Sequence, residues 1–179
     1  MTTHPGAPAN KQLSHAAPDG SARMVDVGEK PITRRSAVAE GFVRISAELA
    51  HAIRTNTVGK GSVLEVARLA GILAAKRTDE LIPLCHTLPL DAVDVLATLE
   101  QSERGVDHRV RVTATVRTQT RTGVEMEALT AVSIACLTII DMGKSIDRDM
   151  VIEGVRVLEK QGGRRGSYSA PPAPGGPRG

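Results

Sequence analysis

Residues 109–117 alternate without a break. Val110, Val112, Ala114 and Val116 fall on one side, and Arg109, Arg111, Thr113, Thr115 and Arg117 on the other. Successive side chains of an extended chain point to opposite faces, so this run is a strand with one apolar and one polar face. Whatever fold contains it must cover the apolar side and can leave the other to water or to a partner.

The surrounding pattern supplies the cover. Leu90 to Leu99 is a second strand, with Val93, Val95, Ala97 and Leu99 on one side, and Ser102-Glu103-Arg104-Gly105 turns the chain into the alternating run. Gly41 to Ser46 reads as a short strand leading into a helix that ends near Arg54. Ser62 and Glu65 make a capping box, in which Ser62 is the N-cap of a helix with the stripe Val63, Val66, Ala67, Ala70, Leu73 and Ala74. Thr122 and Glu125 make a second box, opening a helix to about Met142 whose main face is Leu129, Val132, Ser133, Cys136, Leu137 and Ile140. A last strand covers Val151 to Glu159, with Gly154 at a bulge. The order β, α in two pieces, β, β, α, β is that of an α+β, ferredoxin-like split βαβ fold: an antiparallel sheet with helices packed on one face.

Both ends lack such periodicity. Residues 1–22 form a flexible Pro/Ala/Gly/Ser-rich segment, residues 23–161 one catalytic domain, and residues 162–179 a Gly/Pro/Arg-rich tail whose start can order over the site. With one Phe, one Tyr and no Trp, the core must be aliphatic. The net charge of +3 favours an anionic partner only weakly, since Arg164, Arg165 and Arg178 of the tail carry much of it. Two cysteines, Cys85 and Cys136, offer no disulfide framework, and reduced thiols in a cytoplasmic protein are expected. No signal peptide is visible, and the apolar stretch Ala128 to Ile140 reads as too short and too interrupted to span a bilayer.

Ionisable residues beside apolar segments mark the candidate site, because desolvated charge costs free energy and is kept where it is used. Lys76 closes the first long helix next to Ile72 and Leu73; it either complements the helix dipole or is partly desolvated toward a proton-transfer role. Leu84-Cys85-His86 leads into a strand. A Cys-His pair without a second pair at ligand spacing does not make a zinc site, and His86 is either a structural histidine or part of the site. Glu125 has a capping role available. Glu127 shares a second helical face with Ala131, Ile134, Thr138 and Asp141, at the opposite end from Asp141. Asp141 and Lys144 are an i, i+3 pair, and an acid in the last turn of a helix is electrostatically misplaced. Lys60 stands between two glycines before a helix N-terminus, a weak anion signal. Arg35 and Lys160 could add cations.

These motifs, taken in order, resemble the molybdenum cofactor biosynthesis protein C family. The resemblance rests on Lys76 to His86, on Gly123-Val124-Glu125-Met126-Glu127-Ala128-Leu129-Thr130-Ala131, on Asp141-Met142-Gly143-Lys144, and on Met24-Val25-Asp26-Val27 and Asp149-Met150-Val151-Ile152. It spans roughly Met24 to Gly166 and implies a ferredoxin-like fold. It further implies a homohexamer, a trimer of dimers with active sites at subunit interfaces. The implied activity is that of a cyclic pyranopterin monophosphate synthase, a lyase. Its small-molecule substrate is 3′,8-cyclo-7,8-dihydroguanosine 5′-triphosphate, supplied from GTP by an upstream radical enzyme; the products are cyclic pyranopterin monophosphate and diphosphate. The family's catalytic positions fall on Asp141, Lys76 and Lys144. Other active-site positions fall on Lys60, His86, Glu125 and Lys160, substrate-lining ones on Leu84, Cys85, His86, Met126 and Glu127, and a phosphate arginine on Arg35. No cofactor or resident metal is implied, and Mg²⁺ accompanying the triphosphate stays open. Thr87 stands where proline is usual, Gly143 where cysteine is common, and Arg164 or Arg165 where lysine is usual.

Two rivals belong to other classes. An RNA-binding module shares this fold, but its sheet needs aromatic side chains to stack on bases, and one Phe and one Tyr do not make that platform. A non-catalytic regulatory domain would bind the nucleotide without turning it over. Nucleic acid and membrane are not expected partners.

Overall fold

The computed structural model describes residues 19–58, 62–101, 108–163 and 166–171. Lys60, the turn at 102–105, Arg164 and Arg165 lie outside them. The elements run β1 (Thr33–Ile45), α1 (Ala47–Arg54), α2 (Val63–Ala75), α3 (Thr78–Leu81), β2 (Ala92–Gln101), β3 (His108–Thr120), α4 (Glu125–Gly143), β4 (Val151–Gln161) and β5 (Tyr168–Ser169).

An open antiparallel sheet in the order β2-β3-β1-β4-β5 carries the helices, so the fold is mixed α+β. β3 lies between β1 and β2, as a split βαβ requires. The alternation over 109–117 is a central strand. Val110, Val112, Ala114 and Val116 are fully buried, and β3 pairs with β1 from Thr33↔Thr120 to Ile45↔His108. β1 is longer than the Gly41–Ser46 expected, because Ala37 and Ala39 also face the helices and extend the buried side. The bulge expected at Gly154 is present. Gly41 of β1 opposes both Gly154 and Val155, and Gly154 adopts φ +65°, a conformation open to glycine.

Two helix expectations need correction. The capping box at Thr122 and Glu125 does not form: Val124 is the N-cap, with no side-chain bond. The Thr122 carbonyl instead accepts the Thr120 hydroxyl at 2.9 Å, and Glu125 is held by Lys160. The box at Ser62 does serve, its hydroxyl accepting from the Glu65 amide.

The buried face of α4 is also rotated from the one expected. Ala128, Ala131, Val132, Ala135, Cys136, Ile139 and Met142 are buried, whereas Leu137 is exposed. Small residues win the inner face because α4 packs closely on both the sheet and its neighbour α2. A Cβ on Gly71 of α2 would stand 2.9 Å from the Ala131 carbonyl oxygen. Close approach selects for small side chains and pushes Leu137, and on α2 Val66 and Leu73, outward. By length and composition α4 could cross a bilayer, contrary to the expectation of a segment too short, but ten of its 19 residues are buried inside the protein. It is a core helix.

Candidate active site

The start of β1 and the ends of β3 and β4 meet at one end of the sheet, as the pairs Thr33↔Thr120 and Ala37↔Lys160 require. A cavity of about 1350 Å³ opens there. Its walls come from the segment before β1, the connection from α3 to β2, the N-terminus of α4 and the end of β4. Eight of the twelve candidate residues line it: Arg35, Leu84, Cys85, His86, Glu125, Met126, Glu127 and Lys160.

Glu127 is the least comfortable of them. It is 4% exposed, and its Oε2 is buried without a hydrogen-bond partner among the described residues. Burial pushes its pKa up to about 7, a hydrogen bond from its own backbone amide opposes this, and the charges of Glu125 and Asp79 add to it. A carboxyl so placed exchanges its proton near neutral pH. Burial also raises the pKa of the Cys85 thiol, with the Glu127 and Asp79 charges adding. Cys85 is therefore a neutral lining group and not a thiolate nucleophile.

Positive charge faces these acids. Lys160 donates to Glu125 at 2.7 Å, tying the end of β4 to the first turn of α4. Arg35 donates from Nη2 to the Arg121 carbonyl at 3.5 Å, while its Nε is buried and has no partner among the described residues. Arg35 lines the cavity, and a guanidinium there suits an anionic oxygen. Gly162 and Gly163, both at positive φ, lie so close to Arg34 and Arg35 that side chains there would collide with the Arg34 carbonyl and the Arg35 guanidinium.

His86 bonds through Nε2 to the Val25 carbonyl at 2.8 Å, and Thr87 donates to Asp79. The hydroxyl of Thr87 thus fastens the loop to Asp79.

Three candidates lie elsewhere. Asp141 and Lys144 are joined at 2.6 Å and are both exposed. They stand at the far end of α4, fourteen residues or about 21 Å along the axis from Glu127. Lys76 is the C-cap of α2 and is exposed, so the packing expected to desolvate it is not there. α2 and α4 run in opposite directions, which places Lys76 toward the cavity end of the helix layer.

Two cations of the wall, Lys30 and Arg121, were not among the residues singled out from sequence. Arg121 follows the last alternating residue of β3, and nothing in its spacing distinguishes it from a solvated arginine.

The profile of the MoaC family matches residues 24–163. The chain belongs to this family. It is 55% identical over 161 residues to a protein of Methylobacterium sp. (strain 4-46) named cyclic pyranopterin monophosphate synthase, covering 90% of this chain and 98% of that one. A Mycobacterium tuberculosis (strain H37Rv) protein named cyclic pyranopterin monophosphate synthase 2 is 52% identical over 158 residues, 88% of this chain and 91% of its own. A Cereibacter sphaeroides (strain ATCC 17029) protein with the first name is 53% identical over 158 residues, 88% and 97% of the two chains. The MoaC profile stops at Gly163, the glycine packed against Arg35.

Proposed function

We propose that this chain is a cyclic pyranopterin monophosphate synthase of molybdenum cofactor biosynthesis, a lyase acting in the cytoplasm. It converts 3′,8-cyclo-7,8-dihydroguanosine 5′-triphosphate into cyclic pyranopterin monophosphate and diphosphate. The observation that carries this reading is the convergence of eight candidate residues, picked from sequence, on one cavity. The names of relatives at 52–55% identity support it.

The reaction needs proton transfers during ring opening and reclosure. It also needs attack of a substrate hydroxyl on the α-phosphorus, with cleavage of the bond to the β-phosphate oxygen and departure of diphosphate. Cations must meet the charge that develops on that leaving group. In this proposal Arg35 and Lys60 bind the triphosphate, joined by Lys30 of the wall. Lys76 and Lys144 move protons, with Asp141 fixing the geometry of Lys144 through their ion pair. Glu127 and the Leu84-Cys85-His86 segment face the base. No resident cofactor is assigned; Mg²⁺ entering with the triphosphate would show as loss of turnover on chelation.

One copy does not bring Asp141 and Lys144 to the cavity, given the length of α4 between them. That separation supports sites shared between copies, in a homohexamer built as a trimer of dimers. The sheet face an RNA-binding module would use gives its rival little. Phe42 is covered there by Arg109 at 4.3 Å, and Arg117 and Arg109 are paired with Asp94 and Glu100.

The test is incubation with the cyclic triphosphate, reading pterin fluorescence after oxidation and diphosphate release. Product from the wild type and none from Asp141→Asn or Lys76→Ala is expected. Binding without product would instead make the chain a regulatory copy.

A further inference from the structure

The segment ahead of β1 does not run away from the cavity; it lies along the opening. Ala22, Val25 and Val27 contribute to the wall, and two bonds fix the segment from either side. The Val25 carbonyl meets His86 Nε2 at 2.8 Å, and the Lys30 carbonyl accepts from Arg121 Nε at 3.0 Å. Between them the chain closes a turn. Asp26 Oδ1 accepts from the Gly28 amide at 2.8 Å, and the Lys30 amide donates to the Val27 carbonyl at 3.0 Å.

A carbonyl oxygen can only accept, so the first bond requires a hydrogen on His86 Nε2. A neutral imidazole held this way has an unprotonated Nδ1, able to accept and unable to donate. The ring's backbone is steadied from the other direction by the bond from Thr87 to Asp79.

We propose that residues 24–31 are a strap that sets the tautomer of His86, and that Arg121 is the positioning residue that clamps the strap. The same arginine offers its carbonyl to Arg35, so one residue connects the strap to the guanidinium with the unsatisfied Nε. With the strap seated, His86 presents Nδ1 as an acceptor for a substrate hydroxyl or proton. With the strap lifted, the proton is free to sit on either nitrogen. Only the kinetic consequence rests on the proposed reaction; the tautomer does not.

The test uses the full chain with ring-¹⁵N-labelled histidine, the His86 signals being assigned by their absence in His86→Gln. NMR of the wild type should show the neutral ring protonated on Nε2. In Arg121→Ala the ring should exchange between tautomers, while His51 and His108 signals stay in place. Asp26→Ala removes the exposed turn bond and should move the ring in the same direction, which covers the case of an unfolded Arg121 variant. In turnover, both variants should lower kcat/KM at least about tenfold, as expected when a reacting group loses its orientation. His86→Gln keeps a donor at the Nε2 position without an acceptor at Nδ1, and should lose kcat. A wild-type ring protonated on Nδ1, or a ring whose tautomer is the same in both strap variants, would overturn the proposal. Full kcat in His86→Gln would reduce His86 to a strap anchor and overturn it as well. Lack of turnover by the wild type would instead defeat the proposed reaction and leave the NMR result readable.

Discussion

Glu127 shows how one misplaced carboxyl couples the site to stability. An unfolded glutamate titrates near 4.5, and the folded one at about 7. Between these values the folded chain holds a proton that the unfolded chain has lost. The favourable contribution is complete below pH 4.5 and is lost as pH rises through 7, on the order of 3 kcal/mol at the limit. Glu127→Gln should flatten this dependence, so that urea melts at about pH 5 and about pH 8 differ less in the variant than in the wild type. Equal pH dependence in both would place the titrating group elsewhere. The sequence made Glu127 visible as an acid that capping did not explain. It gave no comparable view of Lys76, because whether a lysine after a helical stripe folds back or extends depends on tertiary neighbours.

At the scale of elements, strands were more legible than helices. The alternation over 109–117 allowed only one reading, since a shift of one residue would reverse every side chain of β3. α4 was legible in extent but not in orientation. Its leucines and isoleucines outnumber what the tight contact with α2 and the sheet can accept, so apolar character alone chose the wrong face. Its N-terminus was misread for a related reason: Glu125, free to cap in an isolated helix, is taken by Lys160 from a strand 35 residues away. The end of β4 is just as exacting. Gly163→Ala should displace the Arg35 guanidinium and strain a backbone at φ +87°. The expected outcome is a KM for the cyclic triphosphate raised about tenfold with a melting temperature lowered by a few degrees, read from steady-state diphosphate release and thermal melts. An unchanged KM would remove Arg35 from the phosphate-binding set.

For the whole molecule, the distance between the cavity and the Asp141–Lys144 pair is the organising fact. If sites are shared between two copies, a cavity variant and an α4 variant fail in complementary ways. His86→Ala and Asp141→Asn should each be inactive alone and regain about a quarter of wild-type activity when unfolded and refolded together. Half the pairs are then mixed, and one of two sites in each is intact. No recovery, with mixed assemblies confirmed by mass, would mean that each copy works alone. The cavity has a further consequence for how the chain is made. Its walls draw on Val25 near one end and on Gly163 near the other. Residues 25 to 163 must therefore all emerge before any site exists, and the early ones wait for β4 before they have anything to close over.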